Sequence, residues 1–215
     1  MSKKVFWCKN CLNMSTRPRI EFDNKCWCNA CQWSEEKKTF DWEGRKKELK
    51  KLLDKYRSNS GNFDCVVPVS GGKDGSYVAY TLKHKYGMNP LCITVAPALS
   101  LDLGDQNLKN FINSGYNHLH INPDVNIMQK LNKIGFVEKG FPYYGWLIAI
   151  QSAVIRTALN FNIPLLFYGE DGEVEYGGST ETKGNSLLSI DYQKKVWFEG
   201  GYDLVMSKVG NMKSS

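Results

Sequence analysis

Seven consecutive residues near position 70 have the composition of a loop that binds phosphate groups. They follow an apolar run, Cys65–Val69, and precede a stretch in which Ala79, Leu82 and Tyr86 recur at helical spacing. This pattern predicts a buried strand, a loop and a helix. Glycines let the backbone approach phosphate oxygens, and the first N–H groups of a helix have no acceptor within it. The predicted phosphate-binding residues are Ser70, Gly71, Gly72, Lys73, Asp74, Gly75 and Ser76.

Two other interpretations of the loop are weaker. It is not the GxxxxGK[ST] nucleotide loop, because that motif needs a longer spacing before its lysine. An ordinary turn stays open, since two glycines after a strand are common. Phosphate binding is favoured because serine, two glycines, lysine, aspartate and a second serine lie within seven residues at the junction of a strand and a helix, where Lys73 adds a positive charge to that of the helix dipole.

Five of the seven cysteines lie within the first 31 residues. Two C-x-x-C pairs, separated by sixteen residues, have the spacing of a four-thiolate zinc site. A disulfide framework is disfavoured in a reducing compartment, and a redox C-x-x-C motif does not need two copies. Four sulfur ligands leave no open coordination position, so we expect the zinc to be structural. The predicted ligands are Cys8, Cys11, Cys28 and Cys31, with Cys26 as a spare thiol.

Strand and helix patterns alternate through the rest of the chain. Short apolar runs predict three further strands, at Pro90–Ala96, His118–Asn122 and Pro164–Tyr168. Helical spacing predicts helices at Arg45–Arg57, Asp105–Ser114, Val125–Ile134 and Tyr143–Phe161. Strands separated by helices indicate an α/β fold with a parallel sheet covered on both faces. Ligands of such sheets bind beyond the carboxyl ends of the strands, which makes Ala96 a further candidate nucleotide contact.

We predict three segments from these patterns: a zinc-knuckle module at residues 1–44, an amphipathic connector helix at 45–60 and a nucleotide-binding domain at 61–215. The histidines are expected to be structural or surface residues, with His118 and His120 on opposite faces of a strand. Cys65 and Cys92 are expected to be buried apolar cysteines.

Composition narrows the function classes. The chain has 215 residues, is 42% apolar and carries a formal net charge of +6, which suffices for one core and a small accessory module. Arg45–Arg57 holds seven basic and two acidic residues, typical of one solvated helix face, so nucleic-acid binding is a minor expectation. The sequence has neither an apolar stretch of membrane-spanning length nor a signal-peptide core, so we expect a cytoplasmic protein without a membrane partner.

The loop Ser70–Ser76 resembles the pyrophosphate-binding loop of the PP-loop ATP pyrophosphatases, whose usual form is Ser-Gly-Gly-x-Asp-Ser. The resemblance implies a domain like the adenine nucleotide alpha hydrolases, in which ATP is cleaved to AMP and pyrophosphate. Gly75 departs from the pattern, because it stands where the family usually has its last serine. Either Ser76 supplies that hydroxyl, or the backbone alone makes the contact.

The order of motifs along the chain resembles that of bacterial N-acetyl sugar amidotransferases acting on flagellar nonulosonic acids or O-antigen sugars. The motifs are the two C-x-x-C pairs, Thr16-Arg17-Pro18 and Phe22-Asp23 between them, the loop, and Gly169–Gly178. The resemblance covers Cys8 to Gly178. Family members usually continue further than Ser215, which predicts a truncated form.

This resemblance implies a two-step reaction. ATP adenylates the acetamido oxygen of an N-acetylated sugar with loss of pyrophosphate, and ammonia then displaces AMP to leave an acetamidino group. Lys73 and Asp74 are the implied catalytic residues, because the loop, the lysine and magnesium would stabilise charge developing at phosphorus. A separate glutaminase or ammonia-channelling partner is expected to supply ammonia, since the sequence shows no glutaminase nucleophile and triad.

Four acidic residues lie within Gly169–Gly178, after the last predicted strand. A solvated loop is the alternative, but the carboxyl end of a strand favours ligand binding. Magnesium takes carboxylate and phosphate oxygens, so the predicted magnesium ligands are Asp74, Glu170 and Asp171. The predicted substrate residues are Arg156, Glu173, Glu175 and Tyr176, with a buried salt bridge as the alternative for Arg156.

Two other functions stay open. A PP-loop enzyme that modifies tRNA also combines this loop with zinc knuckles, and would bind phosphates with the basic helix. Thiolating members usually need reactive cysteines near the nucleotide, and here the candidates are Cys65 and Cys92, both predicted to be buried. A zinc-ribbon binding protein with an inactive nucleotide fold is the other alternative, and the intact loop argues against it.

Overall fold

The computed structural model describes residues 4–170, 172–181, 183–185, 187, 189–197 and 203–210. The chain forms two compact units, Met1–Leu49 with Glu170–Leu188 and Lys50–Gly169 with Ser189–Ser215. The acidic segment after Gly169 belongs to the same compact unit as the cysteine-rich N-terminus, and the predicted division at residues 44 and 60 stays a prediction. Arg19 and Asn29 of the N-terminal part donate hydrogen bonds to Glu173 and Gly178 of this segment.

The smaller unit begins with turns around the cysteines. Trp7 pairs with Met14, and Phe22 with Cys28, in isolated antiparallel bridges. Helix α1, Asn29–Glu36, begins directly after Cys28 and contains Cys31, and a 3₁₀ turn spans Lys37–Thr39. Helix α2, Trp42–Tyr56, contains the boundary between the units, and a second 3₁₀ turn spans Glu173–Tyr176.

The larger unit alternates strands and helices. Its strands are β1 Cys65–Pro68, β2 Pro90–Val95 and β3 Asn117–Ile121. Its helices are α3 Lys73–Tyr80, α4 Asp102–Asn113, α5 Val125–Lys139, α6 Tyr144–Asn160, α7 Ile190–Tyr192 and α8 Asp203–Val209. π-Helical turns at Thr81–Lys85 and Gln193–Trp197 extend α3 and α7.

The three strands form a parallel sheet in the order β1-β2-β3. Val66 of β1 pairs with Leu91 of β2, and Cys92 of β2 pairs with His118 of β3. This sheet, together with a four-cysteine cluster near the N-terminus, confirms the predicted α/β fold with a cysteine-rich module.

Pro164–Tyr168 was predicted to form a fourth strand, and this prediction was wrong. Within the described residues, this segment makes one parallel bridge to β1, between Leu166 and Val66. Val66 N–H donates to Leu165 O at 2.9 Å, and Phe167 N–H donates to Val66 O at 3.0 Å. Pro164 has no N–H, so the segment cannot donate a further bond at its start.

Strands β1 and β2 are buried on both faces of the sheet, whereas β3 is partly exposed, with Asn117 and His120 open to solvent. One face packs against α6 in a cluster of Val66, Leu91, Ile93, Val154, Ala158 and Ile163. Side chains that alternate with these, including those of Cys65, Val67 and Cys92, are also fully buried. Burial raises the pKa of the Cys65 and Cys92 thiols to about 12, so both are buried apolar cysteines, as predicted.

The prediction that His118 and His120 lie on opposite faces of a strand was wrong. His118 and His120 share a face, because side chains two residues apart in a strand point to the same side, and their ring centroids lie 6.1 Å apart. Thr94 donates its hydroxyl to Val69 O at 2.7 Å, so its oxygen, 2.8 Å from Nε2 of His118, accepts from that ring. Burial, with His120 nearby, lowers the pKa of His118.

Two glycines let α5 and α6 pack closely. A Cβ on Gly135 would lie 2.2 Å from the Cβ of Tyr144, and a Cβ on Gly145 would lie 2.7 Å from the Cβ of Leu131. Cβ atoms do not approach each other so closely, so both positions need glycine. Leu131 and Tyr144 also form a core with Val205 and Val209 of α8. Within the described ranges, no helix is long and apolar enough to cross a membrane.

We predict that Gly135→Ala lowers the free energy of unfolding by about 1–3 kcal/mol, because α5 and α6 must separate to admit the methyl group. Gly104→Ala is the matched control, since a Cβ at Gly104 in α4 meets nothing within 4 Å. Alanine has the higher helix propensity, so the control should be neutral or stabilising by up to about 1 kcal/mol. Urea denaturation measures both, and equal destabilisation would contradict the close packing of α5 on α6.

Candidate functional site

The glycine-rich loop lies at the carboxyl end of β1, where the sequence predicted it. β1 ends at Pro68 and α3 begins at Lys73, with Gly72 extended just before the helix (φ −76°, ψ 172°). Ser70 Oγ accepts a hydrogen bond from the N–H of Gly72 at 3.4 Å. Within the described residues, no side chain caps the first turn of α3 from Gly72. This is the geometry of helix N-termini that bind phosphate.

Close backbone packing explains the glycines around this loop. Gly71 has φ +79°, and a Cβ there would lie 2.7 Å from the backbone N of Leu108 in α4. A Cβ on Gly75 would lie 2.5 Å from the carbonyl oxygen of Pro68, and a Cβ on Gly169 would lie 2.7 Å from the N of Gly75. The loop and the start of α3 are therefore held against β1, α4 and Gly169 at distances that admit no side chain.

The departure of Gly75 from the Ser-Gly-Gly-x-Asp-Ser pattern has a structural cause. A serine at this position would place its Cβ against the Pro68 carbonyl, so β1 or α3 would have to move. Ser76 is the next residue of α3 and is partly buried. Its predicted replacement of the missing hydroxyl stays a prediction.

Lys73 and Asp74 open α3 as an exposed ion pair. Nζ of Lys73 lies 2.6 Å from Oδ1 of Asp74, and the two side chains are 88% and 50% exposed. Exposed ion pairs add little to stability. Both charges therefore stand in solvent beside the loop, where a phosphate or a metal ion can reach them.

Two further predicted site residues lie in the larger unit. Ala96 directly follows β2, and its N–H donates to the carbonyl oxygen of Ile121 at 2.9 Å. Because the sheet uses this N–H, any nucleotide contact must come from another atom of Ala96. Arg156 is exposed on α6 rather than buried, and its role toward a substrate stays a prediction.

The four predicted zinc ligands come together in the smaller unit. The sulfur atoms of Cys8, Cys11, Cys28 and Cys31 all lie within 4.8 Å of one another. Three of the separations are 3.5 Å for Cys11 to Cys28, 3.7 Å for Cys28 to Cys31 and 3.8 Å for Cys8 to Cys31. A tetrahedral ion with zinc–sulfur bonds of about 2.3 Å requires sulfur–sulfur separations of about 3.8 Å. The cluster therefore fits zinc, and the thiols are too far apart to be disulfides.

The protein environment favours a thiolate at one ligand and opposes it at others. Burial alone raises the pKa of Cys8, but backbone N–H groups of Cys11, Cys28 and Asn10 outweigh burial and lower the pKa to about 6. Burial raises the pKa of Cys11, and raises that of Cys31 to about 12. Cys31 therefore needs a bound cation to ionise near neutral pH.

The acidic segment also lies in the smaller unit. Glu173 accepts hydrogen bonds from Arg19 and from the N–H of Ser179, so the structure gives this predicted substrate residue a structural role. Tyr176 donates its hydroxyl to Oε2 of Glu170 at 2.6 Å. Glu175 and Tyr176 are exposed, and their roles toward a substrate stay predictions.

The three predicted magnesium ligands are not found in one unit of the described structure. Asp74 belongs to the larger unit and Glu170 to the smaller one. Asp171 lies outside the described residues. Magnesium binding by this set stays a prediction.

Sequence reasoning missed two residues that hold the acidic segment. Arg19 forms a two-bond pair with Glu173, which is 154 positions away. Asn29, directly after Cys28, donates from Nδ2 to the carbonyl oxygen of Gly178 at 2.6 Å. No local pattern marks either pairing, because each partner lies near the other end of the chain.

No family model matches the chain. Over 89 residues the chain is 33% identical to an uncharacterized protein of Methanocaldococcus jannaschii, a match that covers 41% of this chain. That match spans 32% of the curated relative, or about a third of its length. A solved structure described as a predicted subunit of tRNA methyltransferase from Methanocaldococcus jannaschii is similar with a TM-score of 0.36 and 20% identity. This structural match covers 63% of the present chain and 64% of the chain in the solved structure.

Cys28→Ser is predicted to weaken zinc binding at least about 100-fold and to lower the melting temperature, because it removes a buried ligand. Cys26→Ser is the control, since Cys26 lies outside the four-sulfur cluster. Metal analysis and thermal unfolding of the purified variants measure both effects. Unchanged zinc content and melting in Cys28→Ser would show that the four-thiolate assignment is wrong.

Proposed function

We propose that this protein is an ATP-dependent enzyme that cleaves ATP to AMP and pyrophosphate and activates an acceptor by adenylation. We further propose that the acceptor is the acetamido group of an N-acetylated sugar and that ammonia completes the reaction. The observation that carries the proposal is the loop Ser70–Ser76, packed against the carboxyl end of β1 with the N-terminus of α3 behind it.

The loop supports polyphosphate binding in three ways. The backbone can approach phosphate oxygens, because Gly71 and Gly72 carry no side chains. The N-terminus of α3 adds the positive end of the helix dipole. Lys73 adds a full charge that is exposed rather than buried in the fold. Negative charge that develops at the α-phosphorus and on the leaving pyrophosphate is what these groups would stabilise.

The proposed reaction has two steps. The acetamido oxygen attacks the α-phosphorus, the bond to the bridging oxygen breaks, and pyrophosphate leaves with those electrons. Ammonia then adds to the activated carbon, loses a proton and expels AMP, which keeps the former acetamido oxygen. The product is an acetamidino group. We propose that a separate glutaminase or ammonia-channelling protein supplies the ammonia.

Each metal has a distinct place in this proposal. The four cysteines fit a zinc ion without an open position, so zinc is proposed to hold the smaller unit rather than to react. Magnesium would neutralise phosphate charge, and Asp74 is the proposed ligand in the same unit as the loop.

A tRNA acceptor is the second candidate, and helix α2 is the observation that favours it. Leu53 is the buried residue of this helix, while its basic residues Arg45, Lys46, Lys47, Lys50, Lys51 and Lys55 are exposed. An exposed basic face can bind phosphates of a nucleic acid. Burial raises the pKa of Cys65 and Cys92, so their thiols are weak nucleophiles. This argues against tRNA thiolation as the reaction of the second candidate.

We expect Asp74→Ala to lower ATP cleavage at least about 100-fold while the protein stays folded, because the side chain of Asp74 is 50% exposed and its ion pair with Lys73 lies in solvent. The assay measures AMP and pyrophosphate with ammonium ions and a panel of N-acetylated sugars, including nonulosonic acids. Asp54→Ala is the control, since Asp54 is an exposed carboxylate of α2. Equal activity of the two variants would contradict the role of Asp74.

The same assay separates the two acceptors. AMP release that depends on an acetamido sugar supports the sugar reaction. Release with bulk tRNA instead, together with tRNA binding that weakens steeply as salt rises, supports the second candidate. Absence of AMP and pyrophosphate with every acceptor would contradict the proposal as a whole.

A further inference from the structure

The acidic segment closes into a turn around the side chain of Glu173. The backbone oxygen of Glu173 accepts from the N–H of Gly178 at 2.8 Å, and its Oε2 accepts from the N–H of Ser179 at 2.8 Å. Gly177 allows the reversal with φ +81°. The side chain of Glu173 is only 11% exposed, and a Cβ on Gly178 would lie 2.7 Å from its Oε2. One carboxylate therefore shapes the turn Glu173–Ser179.

Two side chains from the cysteine-rich part of the same unit hold this turn. Arg19 donates from Nε to Oε2 of Glu173 at 2.9 Å and from an Nη to Oε1 at 2.8 Å. Asn29, which is 6% exposed, donates to the carbonyl oxygen of Gly178 at 2.6 Å. A bidentate arginine–carboxylate pair is stronger than a single exposed ion pair, because two aligned bonds fix its geometry.

Both anchoring residues are tied to the four-cysteine cluster. Asn29 directly follows Cys28 and begins α1, and its N–H donates to the carbonyl oxygen of Glu21 at 2.9 Å. Arg19 precedes Ile20, which packs against the buried cysteines. Arg19 also has φ +61°, a conformation that needs support from its surroundings. Bringing the four cysteines together therefore fixes the positions from which Arg19 and Asn29 reach the turn.

We propose that Arg19 is a positioning residue that links metal binding at the four cysteines to the order of the turn Glu173–Ser179. Zinc holds the cysteines, the cysteines fix Arg19 and Asn29, and these hold the turn in one conformation. The exposed side chains of Glu175 and Tyr176 are thereby presented in a fixed geometry. Contact of Glu175 and Tyr176 with the acceptor rests on the proposed function. The link between metal binding and the order of the turn does not depend on that function.

Hydrogen exchange on the zinc-loaded full chain tests the link without reference to activity. Arg19→Ala should speed exchange of peptides covering 173–179 by about tenfold or more, because the turn loses its two-bond anchor. Arg19→Lys, which keeps the charge and one donor group, should lie between Arg19→Ala and the unchanged protein. Arg17→Ala is the matched control, since Arg17 is an exposed arginine two positions earlier, and it should leave the turn protected.

Zinc content and hydrogen exchange of α1 show whether faster exchange in the turn comes from loss of the Arg19 anchor or from loss of zinc. Arg19→Ala should retain zinc and the protection of α1, so that loss of order is confined to the turn. In the unchanged protein, removal of zinc by a chelator should speed exchange of α1 and of the turn together. The proposal is overturned if Arg19→Ala and Arg17→Ala give the same exchange in the turn, or if the turn stays protected after zinc is removed.

An activity measurement separates this link from the proposed function. If both hold, Arg19→Ala raises the KM for the acceptor while the KM for ATP stays unchanged. If exchange in the turn rises as expected but neither KM changes, the link stands, and the role of the turn in acceptor binding fails.

Discussion

The close approach of three backbone segments at the carboxyl end of β1 is the constraint on which the candidate nucleotide site depends. The Pro68 carbonyl, the backbone at Gly75 and the chain at Gly169 meet at distances that leave no room for a Cβ. Gly71 is held against α4 in the same way. This packing sets the N-terminus of α3 directly after the loop, so the positive end of its dipole lies at the loop. It also explains why a serine does not occupy position 75.

The smaller unit depends on a different interaction, the convergence of four thiols. Their separations suit a tetrahedral ion, and burial raises the pKa of Cys31, so a bound cation would favour its thiolate. The N-terminal part of the unit, before α1, consists of turns and isolated bridges around a small buried cluster that includes the cysteines. A metal in such a module contributes to folding directly. The acidic segment joins this unit through Arg19 and Asn29, which gives the metal an indirect influence on it.

Sequence patterns predicted the local features well, because each of them is encoded by neighbouring residues. The loop after β1, the strands β2 and β3, the helices α2 to α6 and the paired cysteines follow from short-range spacing, whereas α1, α7 and α8 were not predicted. The strand at Pro164–Tyr168 failed because an apolar run does not specify how many ladder bonds a segment makes. The pairing of Arg19 with Glu173 could not be predicted, since it joins residues 154 positions apart. Glu173 was predicted to be a substrate residue; its carboxylate shapes the turn, and contact with a substrate stays a prediction.

The central claim is that the loop promotes attack of an acceptor oxygen on the α-phosphorus of ATP. Transfer of an oxygen isotope tests this claim most directly. With an acceptor labelled with ¹⁸O in its acetamido oxygen, mass spectrometry of the released AMP should show one ¹⁸O atom, and pyrophosphate should be unlabelled. Unlabelled AMP, or ADP and phosphate as the products, would contradict the account.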